Sequence, residues 1–345
     1  MPERIVTAAE RRLPSRFGGG FMRRRDAVKL LGILAVSWPR VSWGQQVGSI
    51  PTIGLLWPGV SPPAPPRMDA FRQGLREAGL VEGQDVRIEL RYAQQGPQQL
   101  AELAAELVRL NVKVIVSAGD HGPRVAQTAT TTLPIVAMSD DVLGAGIVSS
   151  LSHPGGMTTG ITILSPELNA KRLDVLKELI PGLSRVAALW DVSAAPSQVT
   201  ATENAARLLN VKLQILEVRR REDLAAAFDA ALSAKADALN VFSSPFLASL
   251  YQEIIALAAE HRVPAIYQWK EHAEAGGLVS YGPSLVGMWR QCAMIAVKIL
   301  RGAKPAEMPV EQPTNFELVV NAKTAKSLGL TIPPALFIRA DEVIE

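Results

Sequence analysis

Short runs rich in Val, Ile and Leu alternate with amphipathic helical stretches along almost the whole chain after Gly48, and this alternation restricts the possible folds more than any other feature. Strand-like runs are read at Thr52–Trp57, Val86–Tyr92, Val112–Ser117, Pro134–Met138, Gly160–Ile163, Val186–Trp190, Lys212–Val218, Ala238–Phe242, Ala265–Tyr267 and Leu278–Tyr281. Several are almost continuously aliphatic, the pattern of strands covered on both faces in a parallel sheet. Between them, Met68, Phe71 and Leu75 form one helical stripe with Gly79 as its C-cap, and Leu100, Leu103, Leu107 and Val108 form the next. Further helices are expected near 167–180, 197–209, 222–234, 247–261 and 285–301. Repeated strand–helix alternation predicts an α/β chain with right-handed crossovers. Two sets of strands, separated by the glycine-rich stretch Gly155–Gly160, predict two lobes of similar size. The proline-rich run 61–66 reads as a stiff polyproline-II turn rather than a recognition motif.

Charge and hydropathy set the N-terminus apart from this pattern. Residues 1–44 carry nine Lys/Arg and three acids; the remaining residues, 45–345, carry 27 basic and 30 acidic residues. The main body is therefore slightly acidic and lacks the electrostatic footprint of a nucleic-acid binder. Leu30–Trp38 is apolar but far short of the roughly 20 residues that span a bilayer. With the arginines before it and the small residues Ser42 and Gly44 after it, it reads as an export signal over about residues 22–44, cleaved after Gly44. Arg24-Arg25-Asp26-Ala27-Val28-Lys29 resembles a twin-arginine motif, although Arg23 and Ala27 depart from it; a general secretory signal is the alternative. Residues 1–21 read as an extension ahead of Met22. The expected location is the periplasm. The single cysteine, Cys292, excludes an internal disulfide and a cysteine metal site.

In an open parallel sheet, ligands bind beyond the carboxyl ends of the strands. Here those ends carry Trp57-Pro58, Ser117-Ala118-Gly119-Asp120-His121, Ser139-Asp140-Asp141, Asp191-Val192-Ser193, Ser243-Ser244-Pro245, Tyr267-Gln268-Trp269 and Tyr281-Gly282. Hydroxyls, carboxylates and aromatic rings together suit a small polar organic molecule. Strand-end Ser and Asp serve equally as helix caps, and Trp57 and Tyr267 equally as core. No G-x-G-x-x-G follows the first strand, and neither a P-loop lysine nor a G-x-S-x-G elbow is present. His121, His153, His261 and His272 lack zinc-binding spacing. No catalytic residue, metal ligand or cofactor is expected.

Four stretches carry a resemblance: FRQGLREAGLVEGQDVRIELRYA (71–93), GIVSSLSHPGGMTTGIT (146–162), VPAIYQWKEHAEAGGLVSYGPSL (263–285) and QPTNFELVVNAKTAKSLGLTIPPALFIRADEVIE (312–345). With them the chain resembles, from Met22 to Glu345, the ABC-transporter substrate-binding proteins related to tryptophan/tyrosine-type solute receptors. The resemblance implies a type I periplasmic-binding-protein fold: two Rossmann-like lobes with parallel sheets, joined by three crossings. The first lobe would take 50–160 plus 284–305, the second 161–283 plus 306–345. The cleft would be lined at Trp57, Gly119, Asp120, Asp141, Asp191, Ser193, Ser244, Tyr267 and Tyr281. Val142 stands where the family has proline, and the prolines of 61–66 crowd the N-terminus of the first helix. The implied function is a monomeric solute receptor, without enzymatic activity, that delivers a small organic solute, amino-acid-like or aromatic, to a permease and ATPase complex. Its rivals are a ligand sensor for a membrane signalling partner and a hydrolytic enzyme on the same fold.

Overall fold

The computed structural model describes residues 50–345, which belong to one compact unit. The export signal and cleavage site expected over 22–44 lie outside the described residues. Two sheets organise the chain. The first contains β1 (Thr52–Trp57), β2 (Arg87–Tyr92), β3 (Val114–Ala118), β4 (Ile135–Ser139) and β5 (Thr158–Thr162), in the order β2-β1-β3-β4-β5. All its pairings are parallel, with Ile53 beside both Ile88 and Val114. α1 (Pro65–Glu77), α2 (Leu100–Arg109) and α3 (His121–Ala129) connect the strands.

The second sheet follows: β6 (Arg185–Asp191), β7 (Lys212–Val218), β8 (Ala238–Val241), β9 (Ala265–Tyr267), β10 (Val279–Pro283), β11 (Phe316–Asn321) and β12 (Glu342–Ile344). Its order is β12-β11-β10-β9-β8-β6-β7. Its helices include α4 (Ser165–Leu179), α5 (Ser197–Leu208), α6 (Asp223–Ser233), α7 (Pro245–Ser249), α8 (Tyr251–Glu260) and α9 (Lys270–Glu274), and α11 (Ala322–Leu328) and α12 (Pro334–Arg339) precede β12. Among the described residues, no helix is long and apolar enough to cross a membrane.

α10 (Leu285–Leu300) leaves the second sheet and returns to the first. Its Trp289 and Cys292 sit in one apolar core with Ile53, Phe71 and Val116. Close approach to α1 requires glycine: a Cβ on Gly74 would stand 2.2 Å from the Arg290 carbonyl oxygen. After α10 the chain runs on beside the first sheet. Met308 and Glu311 bond to β5 (Thr159 Oγ1 donates to the Met308 carbonyl at 2.8 Å, Glu311 N to Gly160 O at 2.8 Å), so 306–311 runs beside the first sheet before the last crossing.

The ten strands read from the alternation are present, with their ends moved by a residue or two. Missing from that reading are α3, whose first turn holds Gly122 and Pro123, the short helices α9, α11 and α12, β11, which pairs antiparallel with β10, and the three-residue β12. The polyproline run does a specific job: Ala64 is extended (φ −54°, ψ 145°) and Pro65 and Pro66 fill the first two helical positions of α1, where their missing N–H groups cost nothing.

Candidate functional site

Ends of strands from both sheets meet around a narrow cavity of about 20 Å³, room for about one water. This is far below the roughly 300–1,000 Å³ usual for small-molecule sites, so in this conformation the lobes are closed on each other. The first lobe lines it with Trp57, Arg67, Gly119, Met138 and Asp140, and the second with Ser243, Ser244, Pro245, Ala248 and Trp269. Trp57 closes one wall. Its indole N–H donates to the Ser61 carbonyl at 2.8 Å, and its ring lies 5.8 Å from Trp289. Gly119 (φ +69°) lets the lobes touch: a Cβ there would stand 2.5 Å from Cδ of Pro245. Ser244 caps α7, accepting from Leu247 N at 3.0 Å.

Two buried charges face this space. Arg67 is the third residue of α1 and only 5% exposed. Its guanidinium carbon stands 5.9 Å from the centre of the Trp57 ring, and its Nε has no hydrogen-bond partner. Burial pushes its pKa down, and Glu271 and Tyr251 partly offset that. Asp140 follows β4 and is 1% exposed. Ser165 Oγ donates to its Oδ1 at 2.9 Å; Oδ2 has no partner, although the Ser243 hydroxyl lies close enough to favour ionisation. Burial, then the charge of Asp120, pushes the Asp140 carboxyl well above its ordinary range. Behind it Arg172 of α4 is fully buried, donating from Nε to Tyr281 O at 2.8 Å and from Nη1 to Asn169 Oδ1 at 2.5 Å. Burial pushes its pKa down to about 9 against the pull of Asp140.

Beside the cavity the lobes meet again along a seam. Asp120 Oδ1 accepts from Ser139 Oγ at 2.6 Å and Asp141 N at 3.1 Å, and its Oδ2 accepts from Ala195 N of the second lobe at 2.8 Å. Arg124 Nη2 donates to Ser193 O at 3.0 Å. Val142, Ile147 and Ala195 pack over these bonds. Burial raises the Asp120 carboxyl even against three donors.

Of the residues expected to line the cleft, the structure places Trp57, Gly119 and Ser244 in the cavity lining. Asp120 and Ser193 lie in the seam. Asp141 turns back to accept from Gly144 N at 2.8 Å, and Asp191 accepts from Ser193 N at 2.9 Å. Tyr267 belongs to the second lobe's core, edge-on to His272, and Tyr281 stacks on Phe316 at 6.2 Å. His272 is buried and held well below its usual pKa, by burial first and then by Arg67 and Arg172, so it is a neutral packing group. Arg67, Asp140, Ser243 and Trp269 line the cavity without having been chosen. The pair Pro65-Pro66 was the available signal for Arg67, since two prolines at a helix start place the next residue at its third position. Among the described residues, no histidine, cysteine or lysine lines the cavity.

A family model described as ABC transporter substrate binding protein matches residues 62–344. The chain is similar to a tyrosine-binding protein of Clostridioides difficile (strain R20291), 24% identical over 288 residues, which are 80% of this chain and 82% of that one. Among solved structures it is similar to an ABC domain in complex with L-Trp from Streptococcus pneumonia (26% identity, TM-score 0.77, covering 86% of this chain and 100% of that one). A conserved domain protein from Vibrio cholerae O1 biovar eltor is similar to the same degree (25% identity, TM-score 0.77, 85% and 99% covered).

Proposed function

Because the chain belongs to the ABC transporter substrate-binding protein family, we propose that it captures a small organic solute, amino-acid-like or aromatic, between its lobes and presents the closed form to a membrane permease and ATPase complex. One observation carries this reading: a narrow cavity at the strand ends lined from both lobes, with Trp57 and Trp269 among its walls. Relatives named for tyrosine and solved with L-Trp support the aromatic, amino-acid-like class. Trp57, Gly119 and Ser244 are the contacts we assign from the expected set. The lobes are taken as 50–160 with 284–305 and 161–283 with 306–345, residues 306–311 lying against β5 on their way to the second. They swing about the crossings near 162–165, 283–285 and 311–316. A solute shifts the open–closed equilibrium only by its preference for the closed form, so recognition from both sides is what makes closure respond to it. The protein acts as a periplasmic monomer, exported by the signal at 22–44.

The test is a thermal-shift screen of the mature protein against amino acids, aromatic acids and nucleosides. A ligand at 100 times its Kd stabilises by about 2.7 kcal/mol. At least one saturable shift is expected; no shift from any compound contradicts the reading.

A further inference from the structure

Several buried side-chain atoms in the protein have no hydrogen-bond partner. Two of them, Arg67 Nε and Asp140 Oδ2, belong to residues that line the inter-lobe cavity. They carry opposite charge and are almost completely buried. They also lean on different neighbours: Arg67 on Glu271, Asp140 on Arg172. Leaving a polar atom of a buried charged group without a hydrogen bond is costly, and in native proteins such an atom calls for an explanation. The seam beside the cavity shows that this chain can satisfy a buried carboxylate when nothing else must enter, since both oxygens of Asp120 accept hydrogen bonds. The cavity is left unsatisfied where the seam is not.

We infer that Arg67 and Asp140 are the charge receptors of the cavity, taking the carboxylate and the ammonium of a zwitterionic solute, and that their unpartnered atoms oppose closure when the cavity is empty. This deepens the solute-receptor reading and rests on it. Arg67 suits a carboxylate because the backbone of α1 cannot serve: Pro65 and Pro66 have no N–H, and the amides of Arg67 and Met68 turn back to Ala64 O at 3.0 and 3.4 Å. The guanidinium therefore replaces the helix N-terminus as anion receptor. Asp140 suits an ammonium because its Ser165 bond goes to Oδ1 and leaves Oδ2 without a hydrogen bond, with the Ser243 hydroxyl beside the carboxyl. Burial favours its protonated form, so an empty closed cavity holds either a carboxylate with one oxygen unsatisfied or an extra proton, and an incoming ammonium releases both constraints.

The experiment crosses ligand charge with side-chain charge. Melting shifts are titrated with L-tryptophan and L-tyrosine, with tryptamine and tyramine, which lack the carboxylate, and with indole-3-propionate and 4-hydroxyphenylpropionate, which lack the ammonium. In the wild type, loss of either charge weakens binding about tenfold or more. Arg67→Gln erases the preference for the amino acids over the amines, and Asp140→Asn erases their preference over the acids, each leaving the other preference intact. Equal binding of all three classes by the wild type overturns the inference while leaving a solute receptor standing. A second arm needs no ligand: small-angle scattering of the empty protein, where Arg67→Met, alone or with Asp140→Ala, yields a more compact ensemble than the wild type. Both variants are checked for a native circular-dichroism spectrum, and a folded variant no more compact than the wild type also overturns the inference. If no probe shifts the wild type, the solute class is wrong, and the scattering arm decides the closure half alone.

Discussion

The seam and the cavity belong to one closing surface, yet their buried carboxylates are treated in opposite ways. Asp120, in the seam, accepts three hydrogen bonds, one of them from Ala195 of the other lobe. Asp140, in the cavity, keeps one oxygen without a partner. A satisfied group stabilises closure whatever the cavity holds. An unsatisfied one makes closure conditional on what arrives. Selectivity in such a receptor therefore depends less on how strongly the lobes attract each other than on which part of the interface is left incomplete.

Breaking the seam should have the largest effect. Asp120→Ala leaves the Ser139 hydroxyl and the amides of Asp141 and Ala195 without their acceptor, and a loss of roughly 2–4 kcal/mol in urea denaturation is expected. Asp120→Asn, which keeps one acceptor oxygen, should lose about half as much. Next comes the contact between lobes at the cavity. In Gly119→Ala the new Cβ meets Pro245 at 2.5 Å on a backbone with φ +69°, so about 1–3 kcal/mol is lost, chiefly from the closed form. Solute affinity should fall by more than the global stability does, as calorimetric titration would show.

The legible part of this site was its location. Strand–helix alternation predicted two parallel sheets, and the strand ends found both sides of the cavity. What the residues did not disclose was the choice within each strand end. In Ser139-Asp140-Asp141 the neighbouring acids differ only in backbone rotation after β4, which turns Asp140 inward and lets Asp141 cap Gly144. In Tyr267-Gln268-Trp269 the tyrosine is the last residue of β9 and enters the core, while Trp269 precedes α9 and lines the cavity. β11 carries a β-rich run, Phe316–Val320, but nothing in that run alone discloses its antiparallel pairing with β10.

A smaller effect separates the two carboxyls by pH. Burial raises Asp140 far above an ordinary carboxylate, with Asp120 and Asp191 adding to the rise and the Ser243 and Ser165 hydroxyls opposing it; Arg172 is the cation facing it. Its folded form therefore holds a proton that the unfolded chain releases. The stability it contributes is complete below about pH 4 and is lost as pH rises through the raised value, by at most about 1.4 kcal/mol per pH unit. His272, held neutral, acts in the opposite sense below about pH 6.5. Comparing the ligand-free wild type with Asp140→Asn cancels His272, and the wild type should lose ground to the variant as pH rises. The smallest effect is expected outside both regions. Arg221 and Glu253 pair at 2.7 Å with side chains 66% and 35% exposed, so Arg221→Ala should cost no more than about 0.5 kcal/mol and leave solute binding unchanged.

The central claim, that the space between the lobes is a solute site whose occupation drives closure, is tested most directly by the distance between lobes in solution. Cys292 is buried, so donor and acceptor dyes can be placed on cysteines introduced at the exposed positions Glu102 of α2 and Ala225 of α6 and followed in single molecules. The ligand-free protein should populate mainly a low-transfer open state, and saturating L-tryptophan or L-tyrosine should convert it to a high-transfer closed state. A distribution that neither amino acid moves would contradict the account.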